Sequence, residues 1–215
     1  MAPQVLQNGG FILGLIGAAA LIAATTMNNW SIKDRQGDVV TSVYTYKGLW
    51  QNCETQSSGF TECRPLYGLL VSFQAVRALM IVGVVLSVLG AVISVFSLTC
   101  LTVNSMEDTT KAKMSLTAGI MFFIAGVCGI AGASIYANEI VTSFRMAAYN
   151  NYGGGYGGGG MMEGGMGMGG GMGGIPTYTF GPALFVAWIG GGVLIVGGIL
   201  KSVAFKEMVK DEKPR

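Results

Sequence analysis

The chain has 215 residues, of which 51% are apolar and only 11% charged, against roughly 25% charged in an ordinary soluble domain. A soluble fold cannot hide that much apolar surface, so a membrane protein is the class to expect. There is no histidine, no Cys-x-x-Cys and no carboxylate pair within the apolar runs, and the net charge is only +2, so an enzyme, a metal or cofactor site and a nucleic-acid partner are all unexpected.

Four windows carry no charge at all: residues 1–32, 78–106, 114–138 and 164–200. Each supplies the roughly 20 apolar residues that cross a ~30 Å hydrocarbon layer. Spans are placed at 9–28, 78–100, 115–137 and 180–204. They separate an N-terminus (1–8), a first outer loop (29–77), an inner loop (101–114), a second outer loop (138–179) and a tail (205–215). The first apolar run, Phe11 to Met27, is too long for a secretory signal and has no basic residue before it, so it reads as a retained helix.

The first loop predicts strands followed by a short helix. Val39 to Tyr46 is rich in β-branched and aromatic residues and follows a turn at Gln36-Gly37-Asp38. Residues 50–54 and 60–64 form two arms around Thr55 to Gly59, so that Cys53 and Cys63 face each other across a hairpin and form a disulfide. Such a bridge stabilises a small lobe by about 2–4 kcal/mol. Trp30 and Trp50 are expected to wedge the lobe onto the membrane interface, where amphipathic rings prefer to sit. The sequon Asn29-Trp30-Ser31 starts too close to the bilayer for glycosylation.

Arg77 begins the second span just outside the bilayer and is expected to snorkel there, donating to backbone carbonyls of the lobe. Cys100, at the inner end of that span, is a candidate for palmitoylation or for plain packing. Cys128, in the middle of the third span, reads as a small buried hydrophobe. Glu139, at the outer end of the same span, is expected to meet water or an interfacial arginine.

Residues 153–174 are almost wholly glycine and methionine. Such a run cannot build a packed surface and is expected to act as a low-complexity spacer; contact with the opposing cell through adaptable methionines is the alternative. No Lys-Ser or Lys-Thr follows it, so it is not a phosphate-binding loop. The lobe's last strand is placed near Tyr178. Small residues spaced along the spans, Gly14 and Gly17, then Ala125, Gly129 and Ala133, then Ala187, Gly191 and Gly198, allow close helix packing in lipid.

The predicted fold is therefore an all-α, left-handed membrane four-helix bundle with a small β-rich extracellular lobe. Lys201, Lys206, Lys210, Lys213 and Arg215 in the last fifteen residues, together with Lys111 and Lys113, favour cytoplasmic termini. A disulfide persists only in an oxidising compartment, which puts Cys53 and Cys63 outside.

Taken together, Trp30, Gly48-Leu49-Trp50, Cys53 and Cys63 resemble the extracellular pattern of claudins, the four-span proteins that build tight-junction strands. The stretches Ser57 to Arg64, Gln74 to Met80, Ser105 to Asp108 and Tyr178 to Gly181 are similar to one member of that family. The resemblance implies a non-enzymatic plasma-membrane protein that assembles with itself and other claudins, within one membrane and across the gap between cells. Leu69 matches the residue that enters a neighbouring protomer, and Phe144 and Phe180 match its pocket; Leu69 capping its own protomer is the alternative. Arg64 resembles a pore-lining position and, with Lys47 as a weaker candidate, implies a barrier against cations. Pairing of Arg64 with Glu62 or Glu54 on the solvated hairpin is the competing reading. The ending Lys213-Pro214-Arg215 lacks the Tyr-Val that many claudins present to PDZ scaffolds, so docking there is not expected. Two other functions compete: an auxiliary subunit of a channel or other membrane complex, and a small transporter, which the absence of ionisable residues at mid-span argues against.

Overall fold

The computed structural model describes residues 3–33, 44–56, 58–66, 71–102, 108–152 and 178–211. Four long helices carry the chain: α1 (Pro3–Thr26), α2 (Val71–Thr102), α3 (Asp108–Tyr152) and α4 (Pro182–Asp211). Each contains a stretch long and apolar enough to cross a membrane: Gln4–Thr26, Ser72–Ser97, Ala112–Ser143 and Pro182–Val209. Large apolar side chains cover the outside, with Ile12, Val85, Phe96 and Ile189 all at least half exposed, as lipid-facing positions require.

The helices form a ring. α4 packs along both α1 and α3, α2 packs along α3, and α1 meets α2 less extensively. Glycine makes the closest of these approaches possible. A Cβ on Gly126 of α3 would lie 2.5 Å from the Gly191 carbonyl oxygen of α4, and one on Gly198 of α4 would lie 2.6 Å from that of Gly119. Backbones this close maximise dispersion contact, the main attraction left between helices that are surrounded by lipid. Ala125, Ala133 and Ala187 are fully buried in the same interior.

At 45 residues, α3 is ~68 Å long at 1.5 Å per residue, more than twice the hydrocarbon thickness. It outruns the span placed at 115–137 because neither Gly nor Pro occurs between Gly132 and Gly153, so nothing in the sequence stops the helix at 137. α2 is already helical at Val71, so the described residues hold no separate short helix ahead of the second span; residues 67–70 lie outside the described part.

Five short strands form one antiparallel sheet in the order β4-β3-β2-β1-β5, at the end of the bundle where α1 and α3 finish. They are β1 (Ser31–Lys33), β2 (Tyr44–Lys47), β3 (Gln51–Thr55), β4 (Thr61–Pro65) and β5 (Tyr178–Phe180). β5 leads directly into α4 and pairs Ser31 with Phe180, closing the sheet onto the last helix. The predicted turn at 36–38 and residues 39–43 of the predicted strand lie outside the described residues; β2 begins at Tyr44. Between β3 and β4 the chain turns through Gly59, whose φ of 82° favours a residue without Cβ.

Candidate functional site

The sheet is fastened to the bundle by the residues of the tryptophan and Gly-Leu-Trp motifs. Helix α1 ends at Thr26, which leaves carbonyls in its last turn without intrahelical partners. The Trp30 indole N–H donates to the Ala24 carbonyl at 2.9 Å, and the Trp50 indole N–H donates to the Thr25 carbonyl at 2.8 Å. Both tryptophans thus cap the first helix from the lobe side. The sequence placed both on the membrane interface, but Trp30 is fully buried, its ring edge-on to Tyr136 at 5.1 Å, and Tyr136 in turn meets Phe73 at 5.6 Å. Trp30 is therefore the centre of the lobe–bundle core. Trp50 stays 39% exposed.

Gly48 lies against the backbone of Asn28: a Cβ would sit 2.6 Å from the Asn28 Cα. Leu49 is buried beside it. Arg77, near the start of α2, donates from Nε to the Leu49 carbonyl at 2.7 Å and from Nη2 to the Leu66 carbonyl at 3.0 Å, with its guanidinium over the Trp50 ring. One arginine thereby holds both ends of the disulfide hairpin to the helix that follows it. A guanidinium does this well because its donors are fixed in a planar fork.

The hairpin itself is pinned by the Cys53–Cys63 disulfide, which joins directly opposed residues of β3 and β4. The register also sets Glu54 opposite Glu62 and Asn52 opposite Arg64. Two carboxylates facing each other across a ladder repel. Arg64 relieves them: its Nη2 lies 3.2 Å from Glu62 Oε1, with the side chains 77% and 55% exposed. An exposed pair of this kind contributes only ~0–1 kcal/mol, so Arg64 is free to move and face solutes.

Lys47 is placed differently. Its Nζ sits 4.4 Å from the centroid of the Tyr178 ring, on the wall of a cavity of about 210 Å³ between the sheet and the outer part of α3. Glu139 and Tyr136 line the same cavity, and the Ser31 and Tyr136 hydroxyls lie 3.3 Å apart. Lys47 thus faces the protein seam, while Arg64 faces outward from the sheet's edge strand. Phe180, on the opposite edge strand, is 41% exposed. Leu69 lies outside the described residues, as do the side chains of Phe144 and Cys100; Phe144 belongs to α3 and Cys100 to α2. Cys128 is a free, partly buried thiol within α3. Among the described residues no cluster of three or more Cys, Asp or Glu could hold a metal.

Reading the sequence alone gave Ser31, Tyr136 and Gly181 no role at the seam between lobe and bundle. A Tyr late in an apolar run was the available signal for the second of these, since a phenol in a membrane core needs a hydrogen-bond partner. The need for glycine at 181 is visible only once the Asn29 and Trp30 backbone is in place against it.

A model of the PMP-22/EMP/MP20/Claudin family matches residues 4–158. The chain is 48% identical to Claudin-18 of Rattus norvegicus over 216 residues, covering 99% of this chain and 78% of the relative. It is 46% identical to Claudin-18 of Homo sapiens over 215 residues, with the same coverage. Similarity to Claudin-7 of Homo sapiens is lower, at 33% over 209 residues, covering 94% of this chain and 87% of the relative.

Proposed function

The chain belongs to the PMP-22/EMP/MP20/Claudin family, and from that premise we propose that it polymerises into tight-junction strands that seal the space between cells and disfavour the passage of cations. It is a multi-pass membrane protein of the tight junction and not an enzyme. The observation that carries the finer reading is Arg64 on an exposed edge strand, its backbone position set by the disulfide one residue before it and its side chain open to solvent. The disulfide end of the bundle faces outward and the lysine-bearing end, with both termini, faces the cytoplasm. In support, the bridge requires an oxidising compartment, and Lys201 and Lys206 lie at the opposite end of α4 from β5.

A unit charge ~6 Å from a passing ion is worth ~0.7 kcal/mol at bulk-water permittivity. Arg64 is exposed and shares its field with Glu62, so the bias falls at this low end, about threefold against cations. Replacing Arg64 with Asp reverses the local charge and leaves a hairpin with three carboxylates. Dilution potentials across epithelial sheets expressing Arg64→Asp are expected to shift toward cation preference by about tenfold, the effect of two unit charges. An unchanged potential would remove Arg64 from the selectivity surface.

Assembly is assigned to Leu69, which enters a pocket made by Phe144 and Phe180 of a neighbouring copy. Burying one leucine side chain contributes about 1.5–3 kcal/mol, small alone but multiplied along a row of protomers. Leu69→Ala is expected to give short, broken strands by freeze-fracture in fibroblasts that lack their own junctions. Continuous strands in that variant would rule out the contact. A protein spread over the whole surface of such cells, with no fibrils even in the wild type, would favour an auxiliary-subunit role instead.

A further inference from the structure

Near the end of the bundle that bears the chain termini, α3 and α4 leave a groove of about 390 Å³ open to the surrounding lipid. Ile120, Phe123, Ile199 and Val203 form its apolar body, with Ser202 and Lys206 toward its terminal end. Lys206 is exposed, and among the described residues no carboxylate lies within ion-pair distance of it. The neighbouring Glu207 does not pair with it either, since its Oε2 is buried without a hydrogen-bond partner.

A second lysine lies behind the groove. Lys201, adjacent to Ser202, is fully buried where α4 meets Gly10 of α1 and Gly119 of α3, and its Nζ has no hydrogen-bond partner. Its Nζ lies over the ring of Phe11, 5.9 Å from the centroid. A lysine is costly within a span unless something meets its charge, and an intramembrane lysine of this kind marks a functional position. Lys201 turns toward α1 and does not line the groove, so the slot presents an apolar body with one unpaired cationic side chain, Lys206, at its end, which matches a molecule with an acyl chain and an anionic head.

We propose that this groove binds one anionic phospholipid of the leaflet on the side of the chain termini, its acyl chain against Ile120, Phe123, Ile199 and Val203 and its phosphate held by Lys206. The site depends on the groove and Lys206 and not on strand formation, so it stands or falls separately from the junctional reading. Basic pockets between spans are suited to such headgroups, and a lysine near the membrane surface contributes ~1 kcal/mol toward an anionic lipid.

The test is native mass spectrometry of the full chain released from micelles doped with equal phosphatidylserine and phosphatidylcholine. The wild type is expected to retain phosphatidylserine preferentially. Lys206→Gln should lower that preference about fivefold, the equivalent of ~1 kcal/mol. Val203→Trp, which fills the groove from an exposed position, should abolish retention, while Lys33→Gln at the other end of the bundle should leave it unchanged. Equal retention of the two lipids by the wild type, or an unaltered preference in Lys206→Gln, would overturn the site. So would displacement of the lipid by excess inorganic phosphate, which would identify a simple anion site without a chain-binding groove.

Discussion

Gly181→Ala is expected to abolish the folded protein at the cell surface, although it adds a single methyl group. Gly181 follows β5 and precedes Pro182, the first residue of α4. Its N–H donates to the Trp30 carbonyl at 2.8 Å, and two residues later the Ala183 N–H reaches the Asn29 carbonyl at 3.3 Å. This stitches the start of the last helix to the chain leaving the first. A Cβ at 181 would fall on the Asn29 carbonyl oxygen and within 2.7 Å of the Asn29 carbonyl carbon and 2.8 Å of that of Trp30. All three are backbone atoms, so no rotamer change relieves the overlap; β5 must part from β1 or α4 must shift. Overpacking costs about 1–3 kcal/mol where side chains can adjust, and here it should reach or exceed the top of that range. The measurement is the thermal midpoint of detergent-solubilised protein, read by size-exclusion chromatography, together with surface biotinylation. Gly192→Ala is the control, because nothing lies within 4 Å of its Cβ position and alanine favours the helix by up to ~1 kcal/mol. A wild-type midpoint in Gly181→Ala would show that the seam yields more readily than its backbone contacts indicate.

The spans were legible because hydropathy needs only length and the absence of charge, and four charge-free windows supply both. The disulfide hairpin was legible because two cysteines flank a turn-rich pentapeptide; its strands run at 51–55 and 61–65, one residue later than the arms at 50–54 and 60–64. Of the features set by distant parts of the chain, the Arg77 contact with lobe carbonyls and the strand at Tyr178 were anticipated, while the packing partners of the tryptophans and of the span glycines escaped. A tryptophan just past an apolar run looks like an interfacial anchor, and only Tyr136 and the open Ala24 carbonyl at the end of α1 make Trp30 a core residue. The small residues of α3 at 125, 129 and 133 were visible by their spacing, but Gly129 packs on Leu21 of α1, not on α4. The contact with α4 runs through Gly119 and Gly126, seven residues apart on another face, which no local pattern distinguishes from ordinary span glycines. The extent of α3 followed from the lack of Gly or Pro between Gly132 and Gly153, whereas the expected span followed from membrane thickness alone.

The second large effect is expected at Trp30. Truncation to alanine removes a fully buried indole, the edge-on contact with Tyr136 and the donor to Ala24 at once. Phe/Trp→Ala changes of this kind cost about 3–5 kcal/mol. Trp30→Phe keeps most of the packing and forfeits the N–H, leaving the Ala24 carbonyl at a helix end without its cap, which costs about 1–3 kcal/mol if no water replaces it. Trp50→Ala provides the decisive comparison. It too removes an indole donor, to Thr25, but from a ring that is 39% exposed and also flanked by Arg77. If burial dominates, thermal midpoints of the solubilised proteins should fall in the order Trp50→Ala, then Trp30→Phe, then Trp30→Ala, with the last far below the others. Equal losses at the two tryptophans would mean that the helix caps carry the attachment and the buried ring does not. The functional consequence follows from the same geometry: Trp30 fixes the sheet relative to α1 and α3, and through β2 and β3 it fixes the bearing of the disulfide hairpin. On the assembly proposed above, a variant that still reaches the surface with Trp30 truncated is expected to form no continuous strands, because Phe180, on an edge strand of that sheet, would no longer present the proposed pocket in register.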